Sequence, residues 1–336
     1  MGDFSPEPFY NLLFSQPRTC SHLLTRILNL PAQANIHEHA GDGYFFMDAF
    51  AARFAKRRPG KIPMSWPENQ APEYHLIVQK CVKSMEDWVK EVSETGKGCL
   101  VKQHVSWIID PVSEINFVQG LGINGLEAYN FDGKVDKVVV EGERSDGNQT
   151  VLPDALLKEF RPTFIIRHPA LAFPSLVRAS RDGLGLPDGQ NWELNYHWSR
   201  RLCQWYASNL SPQQKKTRAE GVEFPIILDS DDIEHPALIE KYAQAVGLDN
   251  SLLRWKWNAA TPEEVEKNPA IVRRMKDTLI KSQGIVKGKS SKGLDMQEEK
   301  GKWMEEFGQD VGGKLCALVD KAMEDYEWLR ERKMKA

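Results

Sequence analysis

The sequence predicts an α/β protein with a mainly parallel sheet covered by helices on both faces. Three observations predict it. Short apolar runs bounded by turn residues recur along the chain, and amphipathic segments of helical period alternate with them. The first run passes through a tight polar turn straight into a helix, which is the opening of a βαβ unit.

That opening run is Phe9–Phe14, short enough and flanked so as to favour a buried strand. Leu23, Leu24, Ile27, Leu28 and Leu30 then recur at helical spacing until Pro31 ends the helix. Amphipathic helices are expected over residues 44–58 and 73–94, separated by the Pro-rich loop RRPGKIPMSWPENQAP. Gly98–Val105 is expected as the second strand. Residues 116–154 are Gly-rich and unassigned, apart from a short strand or hairpin arm at Lys134–Glu141.

Thr163–Arg167 reads as the third strand, with a helix opened by Pro169 and running to Arg181. Another helix is expected over Asn191–Ser208. A fourth strand follows at Pro225–Asp229, then a helix over Pro236–Val246 that Gly247 terminates. The polar run 281–300 reads as a mobile loop, and a last helix starts at Trp303. The whole, residues 1–336, reads as a single domain without internal repeats.

A formal net charge of −3 argues against bulk binding to nucleic acid or an anionic membrane, so any anion site must be a local cluster. The five cysteines lack CxxC spacing, which points to reduced thiols and a cytoplasmic setting. No secretory or myristoylation pattern opens the chain, and no run reaches the roughly eighteen apolar residues of a membrane span. Ten Trp and fourteen Phe suit either an aromatic-lined pocket or simply a bulky core.

The segment SQPRTCSHLL, Ser15–Leu24, carries the most chemistry. A strand, tight turn and helix aim backbone N–H groups at one point, where the helix dipole adds about half a positive charge, so phosphate or sulfate is the natural guest. Arg18 adds a forked cation, and Thr19, Ser21 and His22 add side-chain donors. The alternative is an ordinary turn capped by Thr19 or Ser21, with Arg18 in solvent. GIVKGKS, Gly284–Ser290, ends like a Walker loop but has three residues between its glycines where four are needed.

PRTCSHLL resembles the 5′-phosphosulfate loop of the sulfotransferases, and IRHPALAFPS, Ile166–Ser175, is similar to their 3′-phosphate strand and helix. In that family an Arg at the strand end precedes a Ser by eight residues, as Arg167 precedes Ser175 here. Phe224–Gly247 resembles the family's strand, acidic turn, helix and Gly, and KGKWMEEF its basic-Gly-x-x-Gly-x-Trp element without the second Gly. The closest likeness is to divergent fungal sulfotransferase-like proteins. The resemblance implies a P-loop nucleotide-binding fold and 3′-phosphoadenosine 5′-phosphosulfate as donor. Arg18, Thr19, Cys20, Ser21 and His22 would then bind the 5′-phosphate, and Arg167, Ser175, Lys300 and Lys302 the 3′-phosphate. Cys20 stands where the family has Gly, so a side chain either narrows the cradle or demands other dihedrals.

Lys102-Gln103-His104 resembles the Lys-x-His of cytosolic sulfotransferases, implying His104 as base and Lys102 as a sulfuryl contact. The alternative for His104 is a strand-end imidazole satisfied by a backbone carbonyl. His37, Glu38 and Trp66 are candidate acceptor contacts. The HxH of His37 and His39 lacks a third ligand, and no metal is expected. Asp229, Asp231 and Asp232 read as a solvated turn, and His168 as a cap or lining group.

The expected function is sulfuryl transfer to a hydroxyl or amine of a small aromatic or hydrophobic acceptor. Such an acceptor would be a secondary metabolite, with neither nucleic acid nor membrane as partner. The rival is the same fold repurposed for cyclisation, elimination or isomerisation, with His104 or Glu38 as acid or base. A non-catalytic binding protein or a nucleotide phosphohydrolase stands behind both.

Overall fold

The computed structural model describes residues 8–55, 71–120, 138–186 and 191–336. Its strands are β1 (Tyr10–Ser15), β2 (Cys99–His104), β3 (Arg161–Ile166) and β4 (Ile226–Asp229). They form one four-stranded sheet of order β2-β1-β3-β4, every pair parallel. In β2 and β4 every residue is buried, and successive side chains point to opposite faces, so both faces of the sheet are covered.

In chain order the helices are α1 (Ser21–Leu28), α2 (Met47–Ala55), α3 (Ala71–Thr95), α4 (Pro111–Gly120), α5 (Asp154–Glu159), α6 (Pro169–Leu184) and α7 (His197–Asn209). Then come α8 (Pro212–Lys215), α9 (Pro236–Ala245), α10 (Pro262–Glu266), α11 (Ala270–Met275), α12 (Asp277–Lys281) and α13 (Met296–Glu331). Helix α13 packs on α6 and α7 and touches β3 and β4, so the chain's last element closes over the sheet. The core runs through the sheet, where Phe14 stacks on Phe164 at 5.1 Å and tilts against Tyr206 at 5.8 Å.

The chain leaves β1 for β2 on one side and then returns to β3 on the other. In open parallel sheets the crevice beyond the strand ends at such a reversal is where ligands bind. The register sets what lines it: Ser15 faces His104 on β2 and Ile165 on β3, and Ile166 faces Asp229. The tips of all four strands therefore share one edge.

The four expected strands are present within one or two residues, and the last helix starts earlier than its apolar pattern suggests. Asp295 caps α13 by accepting from Gln297 N and Glu298 N. Gly308, at φ 78°, breaks the helix in two. The residues expected as one helix over Asn191–Ser208 form a 3₁₀ turn, Asn191–Glu193, and then α7. The expected arm at Lys134–Glu141 lies partly outside the described residues, and residues 138–141 form no strand. Side chains satisfy that backbone instead of a ladder: Asp110 accepts from Val138 N at 3.3 Å, and Arg144 donates to Val138 O at 2.9 Å.

Asp110 is 2% exposed and is held by Arg144 at 3.0 Å, which also reaches Thr150 O at 2.9 Å. This pair clips the irregular segment to the start of α4. Arg144→Ala leaves the buried carboxylate without its cation, an expected loss of about 3 kcal/mol in urea unfolding. A loss below about 1 kcal/mol would show that the backbone donors to Asp110 suffice on their own.

Candidate functional site

The turn after β1 is built from left-handed backbone. Arg18 has φ 71° and Cys20 φ 66°, a region that L side chains occupy at a cost of about 1–2 kcal/mol. Cys20 thus keeps the left-handed conformation that a glycine adopts freely, while its side chain stays partly exposed. Thr19 is fully buried, and its hydroxyl donates to Gln16 O at 2.8 Å, tightening the turn. No side chain caps α1, so the turn is not the capped alternative that the sequence left open.

Arg18 points inward rather than into solvent. Its Nε donates to Ser175 Oγ at 2.9 Å, and its Nη1 donates to Met275 O at the end of α11 and approaches Met275 Sδ at 3.8 Å. Arg167, just past the tip of β3, donates from Nη1 to Arg18 O at 3.1 Å and from Nη2 to Lys289 O at 3.4 Å. Arg167 Nε is buried without any acceptor. Tyr196 pins the backbone of Arg167, accepting from its N–H at 3.0 Å and donating to its carbonyl at 2.5 Å. Burial raises the Tyr196 phenol far above its usual range, so it stays neutral and fills both roles. His168 caps α6 by accepting from Ala170 N at 3.2 Å.

Arg18, Arg167 and Ser175 therefore meet, although 157 residues separate the two ends of the Arg18–Ser175 bond. Burial, then the neighbouring Arg167 charge, lowers Arg18 to about 10. Two guanidiniums crowded together, one with an orphaned buried N–H, fit a phosphate or sulfate group.

A second cluster lies one strand away. Lys102 is 1% exposed, and its ammonium donates to His22 Nδ1 at 2.5 Å while sitting 5.1 Å over the Tyr44 ring. His104 bonds Ser15 Oγ through Nδ1 at 2.8 Å and the Tyr44 hydroxyl through Nε2 at 3.3 Å. Ser15 meets His104 because the register sets them opposite each other. Rings wall this cluster: Trp107 stands 4.6 Å from His104 and 5.3 Å from Tyr44, and Phe50 stacks on Trp107 at 4.2 Å. Trp192 lies beyond Phe50, and Glu193 is held against Trp107 Nε1 at 2.8 Å. Burial first, then His22 and Lys102, lower His104 to about 3. The imidazole is therefore neutral near physiological pH.

Other candidates lie apart from these clusters. His37 pairs with Glu91 on α3 at 3.2 Å, and Glu38 is exposed. The Lys300 ammonium faces Asp320 at 2.7 Å, and Lys302 faces Glu298 and Glu299 at 2.9 and 2.8 Å. Among the described contacts neither lysine reaches Arg18, Arg167 or Ser175; carboxylates hold both on α13 instead. Trp66 lies outside the described residues. The acidic turn after β4 is not simply solvated: Asp229 is 2% exposed and accepts from Tyr326 at 2.9 Å, and Asp231 accepts from Ser291 N at 3.0 Å. Among the described residues no group of three His, Cys, Asp or Glu side chains is placed to hold a metal, and no helix is long and apolar enough to cross a membrane.

Sequence reasoning missed Tyr44, Trp107, Tyr196, Met275 and Lys289. The last two contribute carbonyl oxygens, which no side-chain motif announces.

An all-parallel sheet with an arginine-bearing turn after its first strand is consistent with a sulfotransferase-like fold. Comparison with known proteins agrees. A protein named sulfotransferase ppzF from Metarhizium rileyi is 34% identical across 96% of each chain. Another of that name from Metarhizium majus is 33% identical across 98% of each. The chain belongs to the sulfotransferase-like family. No family model and no solved structure matches it.

Cys20 gives the first test. Cys20→Gly removes the left-handed penalty but adds about 0.5–1 kcal/mol of backbone entropy, so stability should hold or rise slightly. Cys20→Val, β-branched and averse to this region, should melt several degrees lower. Equal melting of Gly and Val variants would contradict the left-handed turn.

His104 gives the second. Its folded pKa lies below the unfolded value near 6.5, so it contributes stability that is fully present above about 6.5 and is lost as pH falls toward 3. The slope is about 1.4 kcal/mol per pH unit. The stability gap between wild type and His104→Gln should therefore narrow by about 2 kcal/mol between pH 7 and 5. A gap that stays constant over that range would mean the imidazole protonates in the fold.

Proposed function

We propose that the protein transfers the sulfuryl group of 3′-phosphoadenosine 5′-phosphosulfate to a hydroxyl or amine of a small aromatic or hydrophobic acceptor. The carrying observation is the meeting of Arg18, Arg167 and Ser175 around an unpaired buried guanidinium N–H. In this reading Arg18 and the turn from Thr19 to His22 receive the 5′-phosphate, and Arg167 and Ser175 the 3′-phosphate. The 5′-phosphate replaces Met275 O as the partner of Arg18.

The acceptor lies against Tyr44, Phe50 and Trp107, whose rings favour a flat apolar body. The acceptor oxygen or nitrogen attacks sulfur in line, and the bond from sulfur to the bridging oxygen breaks. Arg18 stabilises the charge that gathers on that oxygen. Lys102, one strand away, neutralises charge on the sulfuryl oxygens, and neutral His104 receives the acceptor proton. All five cysteines are free thiols, which supports a reducing, cytoplasmic setting.

The test is calorimetry with 3′-phosphoadenosine 5′-phosphate. Micromolar binding is expected, falling at least about 100-fold in both Arg18→Ala and Arg167→Ala, as loss of a charge-assisted pair implies. Absence of binding at millimolar ligand would sink the donor site and favour a pocket repurposed for another reaction.

A further inference from the structure

Both ring nitrogens of His104 are engaged: Nδ1 on Ser15 Oγ at 2.8 Å and Nε2 on the Tyr44 hydroxyl at 3.3 Å. A neutral imidazole has one N–H and one lone pair, so an acceptor molecule cannot reach that lone pair while both contacts stand. In the tautomer with its hydrogen on Nδ1, His104 donates to Ser15 Oγ and Nε2 accepts from the Tyr44 hydroxyl. This tautomer alone leaves Nε2 basic toward Tyr44.

His104 is 9% exposed and Trp107 stands edge-on to it at 4.6 Å, whereas Tyr44 is only half-buried. Of the two, Tyr44 is the one that meets what enters. The Lys102 ammonium, 5.1 Å over the Tyr44 ring, eases negative charge onto the phenol oxygen.

Resting on the sulfuryl-transfer reading above, we propose that Tyr44 is a catalytic residue that passes the acceptor's proton to His104. As the acceptor oxygen bonds to sulfur, its O–H bond breaks and the proton goes to the Tyr44 oxygen. The phenol's own proton moves to His104 Nε2, leaving an imidazolium held by Ser15. The electron pair of the breaking S–O bond leaves on the 5′-phosphate of the spent donor. No oxidant, metal or further reactant is needed. Tyr44 is left neutral, carrying the acceptor's proton, and His104 returns to its neutral state when the imidazolium gives its extra proton to solvent.

The test joins a spectroscopic and a kinetic measurement. In ¹⁵N-histidine correlation spectra at pH 7, His104, assigned by its loss in His104→Gln, should carry hydrogen on Nδ1 and none on Nε2. Tyr44→Phe should shift the Nε2 resonance. A hydrogen on Nε2 overturns the proposal whatever the acceptor. With 2-naphthol as probe acceptor, Tyr44→Phe should lower kcat at least about 100-fold, the scale of general acid–base catalysis, with binding of 3′-phosphoadenosine 5′-phosphate kept within about twofold. A kcat within about threefold of wild type would overturn the relay and leave sulfuryl transfer standing. If wild type itself fails to bind 3′-phosphoadenosine 5′-phosphate, the donor reading falls and the catalytic role of Tyr44 falls with it. If 2-naphthol proves inert, the position of the His104 hydrogen decides.

Discussion

The parallel register of β1 between β2 and β3 is the constraint on which the site depends. Each ladder bond fixes one residue against another, and a slip of one position would turn every side chain to the opposite face. With Ser15 opposite His104 and Ile165, the chain must turn at residues 16–20 directly beside the tips of both neighbours. Arg167 leaves its tip one residue beyond β3 and reaches the carbonyl of Arg18, while Lys102 and His104 occupy the last positions of β2. The buried strands make this arrangement rigid, because the core around Phe14 and Phe164 leaves the sheet no room to shift.

Electrostatics then divides the crevice into two parts. On the β3 side two guanidiniums lie close together, partnered largely by carbonyls and a hydroxyl rather than by carboxylates. Burial first, and then the neighbouring Arg167 charge, make Arg18 titrate low, and an anion bound there would offset both. On the β2 side burial strips His104 of its charge, and the Lys102 ammonium leans on the Nδ1 of His22 and an aromatic face. One part suits a highly charged donor, the other an apolar acceptor. Among the described contacts, the bond between Ser15 and His104 and that between His22 and Lys102 link them.

Much of this was legible in the sequence where periodicity and a local motif coincide. The four strands, the helices after β1, β3 and β4, and the arginines at positions 18 and 167 follow from apolar runs that end in turns, whereas α4 after β2 carries no such signal. The resemblance then supplied the pairing of Arg167 with Ser175, which no local pattern could give. Less legible were features that depend on distant partners. Lys300 looked free to bind phosphate because the sequence does not show that the break at Gly308 brings Asp320 to it, while Lys302 is taken up by its neighbours Glu298 and Glu299. The alternation at Lys134–Glu141 reads as a strand, yet residues 138–141 form none, because Asp110 and Arg144 satisfy the backbone of Val138 with side chains. Tyr44 reads as the first residue of a helix, but α2 starts only at Met47 and Tyr44 ends the turn before it, so nothing local marks it as a partner of His104.

The most direct measurement is diffraction from crystals of the protein grown with 3′-phosphoadenosine 5′-phosphate. The account predicts the 5′-phosphate between Arg18 and the first turn of α1, with Met275 O displaced from Arg18, and the 3′-phosphate on Arg167 and Ser175. A ligand seated elsewhere, with Arg18 still bonded to Met275, would contradict it.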